Sequence, residues 1–194
     1  MTVRPLGWAL LLFLAIAAGT FLLPSHRWDV AVTVWLQHAP QVLDLPAAGL
    51  VFLADAEISI PLIVLVGLLL ARRDRRRVEG VAWLAAGMLA ASAVAFFLKW
   101  VLPHPGPPLE FQRMPHRVGL YVPQPFSFPS GHTMRTTFFA VMVLRRTPPA
   151  AGALVITVMA ALVYLGDHWT SDVLGGLCLG WACAEIARGL RPPA

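Results

Sequence analysis

Apolar residues in this chain come in long runs separated by short charged or proline-containing breaks. Leu6 to Leu23 is the first run, preceded by Arg4 and followed by Pro24. Pro46 to Ala71, Val78 to Leu98, Gly131 to Leu144, Ala150 to Gly166 and Asp172 to Leu190 are the others. A helix of roughly 20 apolar residues matches the hydrocarbon core of a bilayer. The Gly131 to Leu144 run is shorter, which predicts a helix whose start is recessed below the membrane surface. A cleaved signal peptide competes for Leu6 to Leu23, but the length of that run and its lack of a clear small-x-small exit favour a span. Ser25 to Leu45 has a different pattern. Trp28, Val32, Trp35 and Leu36 recur at helical spacing opposite Asp29 and Gln37, predicting an amphipathic helix in the interface with Trp anchors. The expected fold is all-α, one membrane domain over residues 1–194, with six transmembrane helices, an interfacial amphipathic helix and one long extracytoplasmic loop.

Composition strengthens that reading. The 194 residues are 58% hydrophobic and 13% charged, with a mean hydropathy of +0.70. Soluble domains are nearer half apolar and about a quarter charged. The net charge of +5 does not point to nucleic acid, because arginines gather at the ends of apolar runs. There they act as topology signals facing an anionic leaflet. The loop from Arg72 to Arg77, the Arg145–Arg146 pair and both termini fall on one side, expected to be cytoplasmic. The long loop, His132 and the segment around His168 then share the opposite, extracytoplasmic side of what is expected to be a bacterial inner (plasma) membrane. Cys178 and Cys183 lie five apart in one apolar run and are expected to be packing residues.

Candidate chemistry collects on that face. Pro129-Ser130-Gly131-His132 is a turn at a helix start, where free N–H groups and the helix dipole suit an anion such as phosphate. Trp100 to Pro129 is a proline-rich stretch long enough to be a functional loop. Lys99, the only lysine, closes the third run, where snorkelling to the interface would also explain it. His168 and Asp172 are four apart and share one helical face. The carboxylate suits one imidazole nitrogen, which leaves the other to attack. Capping of the last helix by Ser171 or Asp172 explains the same residues. Asp55 and Glu57 interrupt the second run. An ion path is one reading of them, and an aqueous helix N-terminus, where the dipole favours acids, is the preferred one.

Taken in order, Lys99, Pro129-Ser130-Gly131-His132 and His168 with Asp172 resemble the type 2 phosphatidic acid phosphatase superfamily, integral-membrane lipid phosphatases related to vanadium haloperoxidases. The resemblance runs from about Val94 to Gly180, the expected active-site core. It implies His168 as the nucleophile that becomes a phosphohistidine, Asp172 as its orienting partner and His132 as the general acid. Lys99, Ser130 and Gly131 would bind the phosphoryl oxygens. It implies no metal and no cofactor, and the sequence offers no carboxylate cluster for one.

Two departures stand out. The family pattern is Lys-x6-Arg-Pro, yet Gly106 precedes Pro107 here. Its later Ser-Arg pair is replaced by Ala161-Leu162, so both phosphate-binding arginines are missing from their usual places. Arg135, three residues after His132 and one turn deeper, is the expected substitute, because an intramembrane Arg calls for an anion or an aqueous cavity. A structural salt bridge to Asp55, Glu57 or Asp172 would also account for it. His104, with Arg113 and Arg117, is expected to cover the other lost charge. The leading function is a metal-independent phosphatase acting on a lipid or polyprenyl phosphate or diphosphate at the outer leaflet. A non-catalytic lipid-phosphate binding or transport relative and a lipid phosphotransferase are the alternatives. The expected partners are the lipid substrate and the bilayer, with no nucleic acid, and the sequence is silent on oligomeric state.

Overall fold

The computed structural model describes residues 3–22, 26–71, 74–114 and 126–190. Eight α-helices follow in order: α1 Val3–Leu22, α2 His26–Gln37, α3 Asp44–Leu53, α4 Ala56–Ala71, α5 Arg75–Val101, α6 Gly131–Val143, α7 Pro148–Tyr164 and α8 Thr170–Leu190. Single 3-10 turns lie at Gln41–Leu43 and Leu109–Phe111, and no strand occurs among the described residues. The helices follow the apolar runs because a backbone in lipid must satisfy its hydrogen bonds internally.

The six expected spans are not matched one for one. By length and composition, α1, α5 and α8 can each cross a membrane. The second run is not one helix but two, α3 and α4, bent by 64°. The break falls at Ala54 and Asp55, whose carbonyl and carboxylate bind Arg135 and His132 on α6. With 13 residues, α6 is about 20 Å long, short of a hydrocarbon core of about 30 Å, and α7 has 17 residues.

The centre of the bundle is α8, packed against α6 on one side and α1 on another. Gly176 and Gly180 face α6 so closely that a Cβ on either would collide with the carbonyl oxygens of Ser130 and Met134. This is the small-xxx-small contact that brings two membrane helices together. Phe13, Met88, Phe128, Met134, Phe138 and Leu179 form one buried apolar cluster, and Val51, Val158, Leu162, Leu165 and Val173 belong to a second. Leu11, Leu14, Leu65, Phe97 and Ile156 point outward and remain exposed, as lipid-facing positions should.

The amphipathic helix α2 is present, with Trp28 and Trp35 exposed. Its polar side turns into the protein, where Asp29 and Thr33 are completely buried. A second polar cluster secures the long loop. Arg113 donates to Asp44 Oδ1 at 2.8 Å and to the Gln37 carbonyl at 3.0 Å, and stacks over the Tyr164 ring at 4.6 Å. The Tyr164 hydroxyl donates to Asp44 and lies 3.0 Å from the Pro40 carbonyl. Arg113 is therefore a strut joining the loop to α2, α3 and α7, and the expectation that it binds phosphate is corrected. Arg117, expected beside it, lies outside the described residues.

Candidate active site

Lys99 at the end of α5, the start of α6 and the start of α8 meet at one end of the bundle. Phe128 pins the connecting loop there. Its ring is buried against Phe13, with centroids 5.8 Å apart, and over Gly175, where a Cβ would strike it. Lys99 Nζ donates to the carbonyls of Phe126 and Ser127 at 2.9 and 3.0 Å. The ammonium thus holds the loop's path while remaining beside the site.

Ser130 caps α6, its hydroxyl accepting from Thr133 N at 3.4 Å, while its own N–H donates to the Asp172 carbonyl at 3.0 Å. That second bond ties the start of α6 to the first turn of α8. Gly131 and His132 open α6, so their N–H groups have no intrahelical acceptor. The rings of His132 and His168 face each other edge to face, with centroids 5.8 Å apart. His132 Nε2 lies 2.5 Å from Asp55 Oδ1. Asp55 stands immediately before α4 and is partly exposed, as a helix-start acid should be, and it is also the partner of His132. It was hidden because 77 residues separate the two in sequence.

Asp172 is completely buried and accepts from several directions. Trp169 N reaches Oδ2 at 2.8 Å, and His104 Nδ1 reaches Oδ1 at 3.1 Å. His168 Nδ1 stands 3.5 Å from Oδ2, longer than a normal hydrogen bond. Between them sits Ser127, whose hydroxyl is 2.8 Å from His168 Nδ1 and donates to Asp172 Oδ2. His104, expected on the phosphate, is instead engaged on Asp172, because the loop turns its ring behind that carboxylate. Ser127 had no sequence signal beyond its place three residues before Ser130.

Arg135 is buried one turn below His132. Its Nε and Nη2 donate to the Ala54 carbonyl at 3.2 and 3.0 Å, holding the break between α3 and α4. Nη1 points the other way, toward Gly131, where an added Cβ would lie 3.1 Å from it. The guanidinium adds positive charge to the start of α6 as well as acting as a strut. An apolar cavity of about 220 Å³ adjoins it, lined in part by Leu53, Leu62, Met88, Phe139 and Val158.

Asp29 is the third residue that sequence reasoning did not single out for the site. Its two oxygens accept from Ser171 N at 2.8 Å and Ser171 Oγ at 2.9 Å, capping α8 next to Asp172. Burial pushes the Asp29 carboxyl pKa up, and the two hydrogen bonds from Ser171 oppose that rise. Among the described residues, no group of three or more His, Cys, Asp or Glu is arranged to hold a metal.

The decaprenylphosphoryl-5-phosphoribose phosphatase of Mycobacterium tuberculosis is 33% identical over 173 residues, 84% of this chain and 90% of its own. Phosphatidylglycerophosphatase B of Bacillus subtilis is 33% identical over 78 residues, 33% of this chain and 38% of its own. In fold, the chain superposes on the crystal structure of a transmembrane PAP2-type phosphatidylglycerolphosphate phosphatase from Bacillus subtilis. The TM-score is 0.78 at 23% identity, covering 95% of this chain and 94% of the other. The model of the PAP2 superfamily matches residues 80–192, which include His132, His168 and Asp172, and the chain belongs to that superfamily.

Proposed function

We propose that this protein is a metal-independent phosphatase that removes phosphate from a membrane lipid or polyprenyl carrier through a phosphohistidine on His168. The observation that carries the reading is the facing pair of imidazoles, 5.8 Å apart, each backed by its own carboxylate. Two neighbouring imidazoles suit a nucleophile and a general acid acting on one phosphoryl group.

His168 Nδ1 is engaged by Ser127, so the attacking atom is Nε2. Its lone pair forms a bond to phosphorus as the bond from phosphorus to the lipid oxygen breaks. His132, held through Nε2 by Asp55, gives the departing oxygen a proton from Nδ1. Water then attacks the phosphohistidine, gives a proton back to His132, and the phosphorus–nitrogen bond breaks. Phosphoryl transfer asks chiefly for positioning and positive charge around the equatorial oxygens. The N–H groups opening α6, the Lys99 ammonium and Arg135 Nη1 would supply these.

The apolar cavity beside Arg135 suits the tail of a lipid whose phosphate lies at the start of α6. The distribution of arginines supports a site on the extracytoplasmic side of a bacterial inner membrane. The Mycobacterium tuberculosis relative makes a polyprenyl-linked phosphosugar the first substrate to try. The test is inorganic phosphate release by purified protein from decaprenylphosphoryl-5-phosphoribose and from phosphatidylglycerophosphate, in parallel. The expected result is turnover of the first in the presence of EDTA, with an acid-labile phosphoenzyme. Both should disappear in His168→Ala. Equal turnover by that variant would reject the mechanism.

A further inference from the structure

Resting on His168 as the nucleophile, we infer that Ser127 is its immediate orienting partner and that Asp172 acts on His168 through the Ser127 hydroxyl. The distances separate the two arrangements. His168 Nδ1 is 2.8 Å from Ser127 Oγ but 3.5 Å from the nearer Asp172 oxygen. Hydrogen-bond energy falls away over that interval.

Donor counting sets the direction. A hydroxyl has one proton to give, whereas an ionised carboxylate only accepts. Ser127 therefore gives its proton to Asp172 Oδ2, and its lone pair receives the proton on His168 Nδ1. That fixes the imidazole with hydrogen on Nδ1 and the lone pair on Nε2. When Nε2 bonds to phosphorus the ring becomes cationic, and the Asp172 charge stabilises it both directly across 3.5 Å and through the polarised hydroxyl that holds the ring. The Nδ1 proton stays where it is throughout.

Ser127 is built for this place. It is 6% exposed, its N–H donates to the His104 carbonyl at 2.7 Å and its carbonyl accepts from Lys99 at 3.0 Å. His104 also holds Asp172 Oδ1 with its ring. One residue thus spaces Ser127 and Asp172 at once, through its backbone and its side chain. The loop between α5 and α6 supplies both His104 and Ser127, so it shapes the surroundings of the nucleophile.

The experiment compares Ser127→Ala, Ser127→Cys and Ser127→Thr with the parent enzyme and with His168→Ala, following steady-state turnover and phosphoenzyme formation after rapid mixing. A hydrogen bond that supports charge on a reacting group matters by about 10- to 100-fold. Ser127→Ala and Ser127→Cys should lose about that much in kcat while KM changes less than about twofold. Ser127→Thr, which restores a hydroxyl, should recover most of it. Cys has nearly the size of Ser, so its loss would not reflect an altered loop. If Ser127→Ala and Ser127→Cys both stay within about threefold of the parent in kcat, or if Thr is no better than Cys, the inference is overturned. Activity in His168→Ala would instead overturn the nucleophile assignment, and that outcome is read independently of the Ser127 series.

Discussion

Asp55→Asn keeps the shape of the partner of His132 and removes its charge. In the structure His132 Nε2 and Asp55 Oδ1 are 2.5 Å apart, with the carboxylate side chain 34% exposed. A hydrogen bond to a charged group contributes about 1.5–3 kcal/mol. A carboxylate one-third in solvent belongs at or below the low end, about 1.5 kcal/mol, because water screens it. At 1.36 kcal/mol per decade, that predicts a rate loss of about 10-fold. The loss should depend on the leaving group. A lipid alkoxide needs a proton as it departs, whereas p-nitrophenolate leaves readily without one. The assay is phosphoenzyme formation in a single turnover, since hydrolysis of the intermediate is common to both substrates. Asp55→Asn should slow the lipid phosphate about 10-fold and p-nitrophenyl phosphate less than about twofold. Equal losses on the two substrates, or no loss on the lipid, would refute the assignment of His132 and Asp55 as the acid and its support.

Two other predictions follow from close contacts. Gly176→Ala places a Cβ against the Ser130 carbonyl oxygen and 3.0 Å from Thr133 Cβ; overpacking of this kind destabilises by about 1–3 kcal/mol. Its melting temperature in detergent should fall, while Gly152→Ala, which meets nothing within 4 Å, should hold or raise it. Arg135→Met should weaken competitive inhibition by inorganic phosphate about 10-fold, the scale of one charge-assisted hydrogen bond, with partial recovery in Arg135→Lys. An unchanged inhibition constant would leave Arg135 as a strut for Ala54 alone.

Much of the fold could be read before any coordinates. Apolar runs predict helices strongly because lipid leaves the backbone no other partner, and five of the six runs are single helices within a few residues of the expected bounds. The exception, the second run, carried its warning in Asp55. Helix periodicity cannot say whether an acid in an apolar run faces water or another helix, and here the answer depends on His132.

Local spacing likewise exposed the pairs that a helix brings together. Gly176 and Gly180 share a face because four residues make about one turn, whereas His168 lies just ahead of α8 and meets Asp172 through the bend that opens that helix. The order of Lys99, Pro129-Ser130-Gly131-His132 and His168 was enough to suggest the family. What the chain alone could not show were partners brought in from distant segments. Asp29 reaches Ser171 across 142 residues, Asp55 reaches His132 across 77, and Ser127 reaches Asp172 across 45. No periodicity links such positions, since packing of α2, the α3–α4 break and the loop decides them. The sequence by itself determined a helical membrane protein with two histidines and an aspartate at one end. Only the tertiary structure decided that His132 too is backed by a carboxylate, that His104 serves Asp172, and that a serine stands between Asp172 and His168.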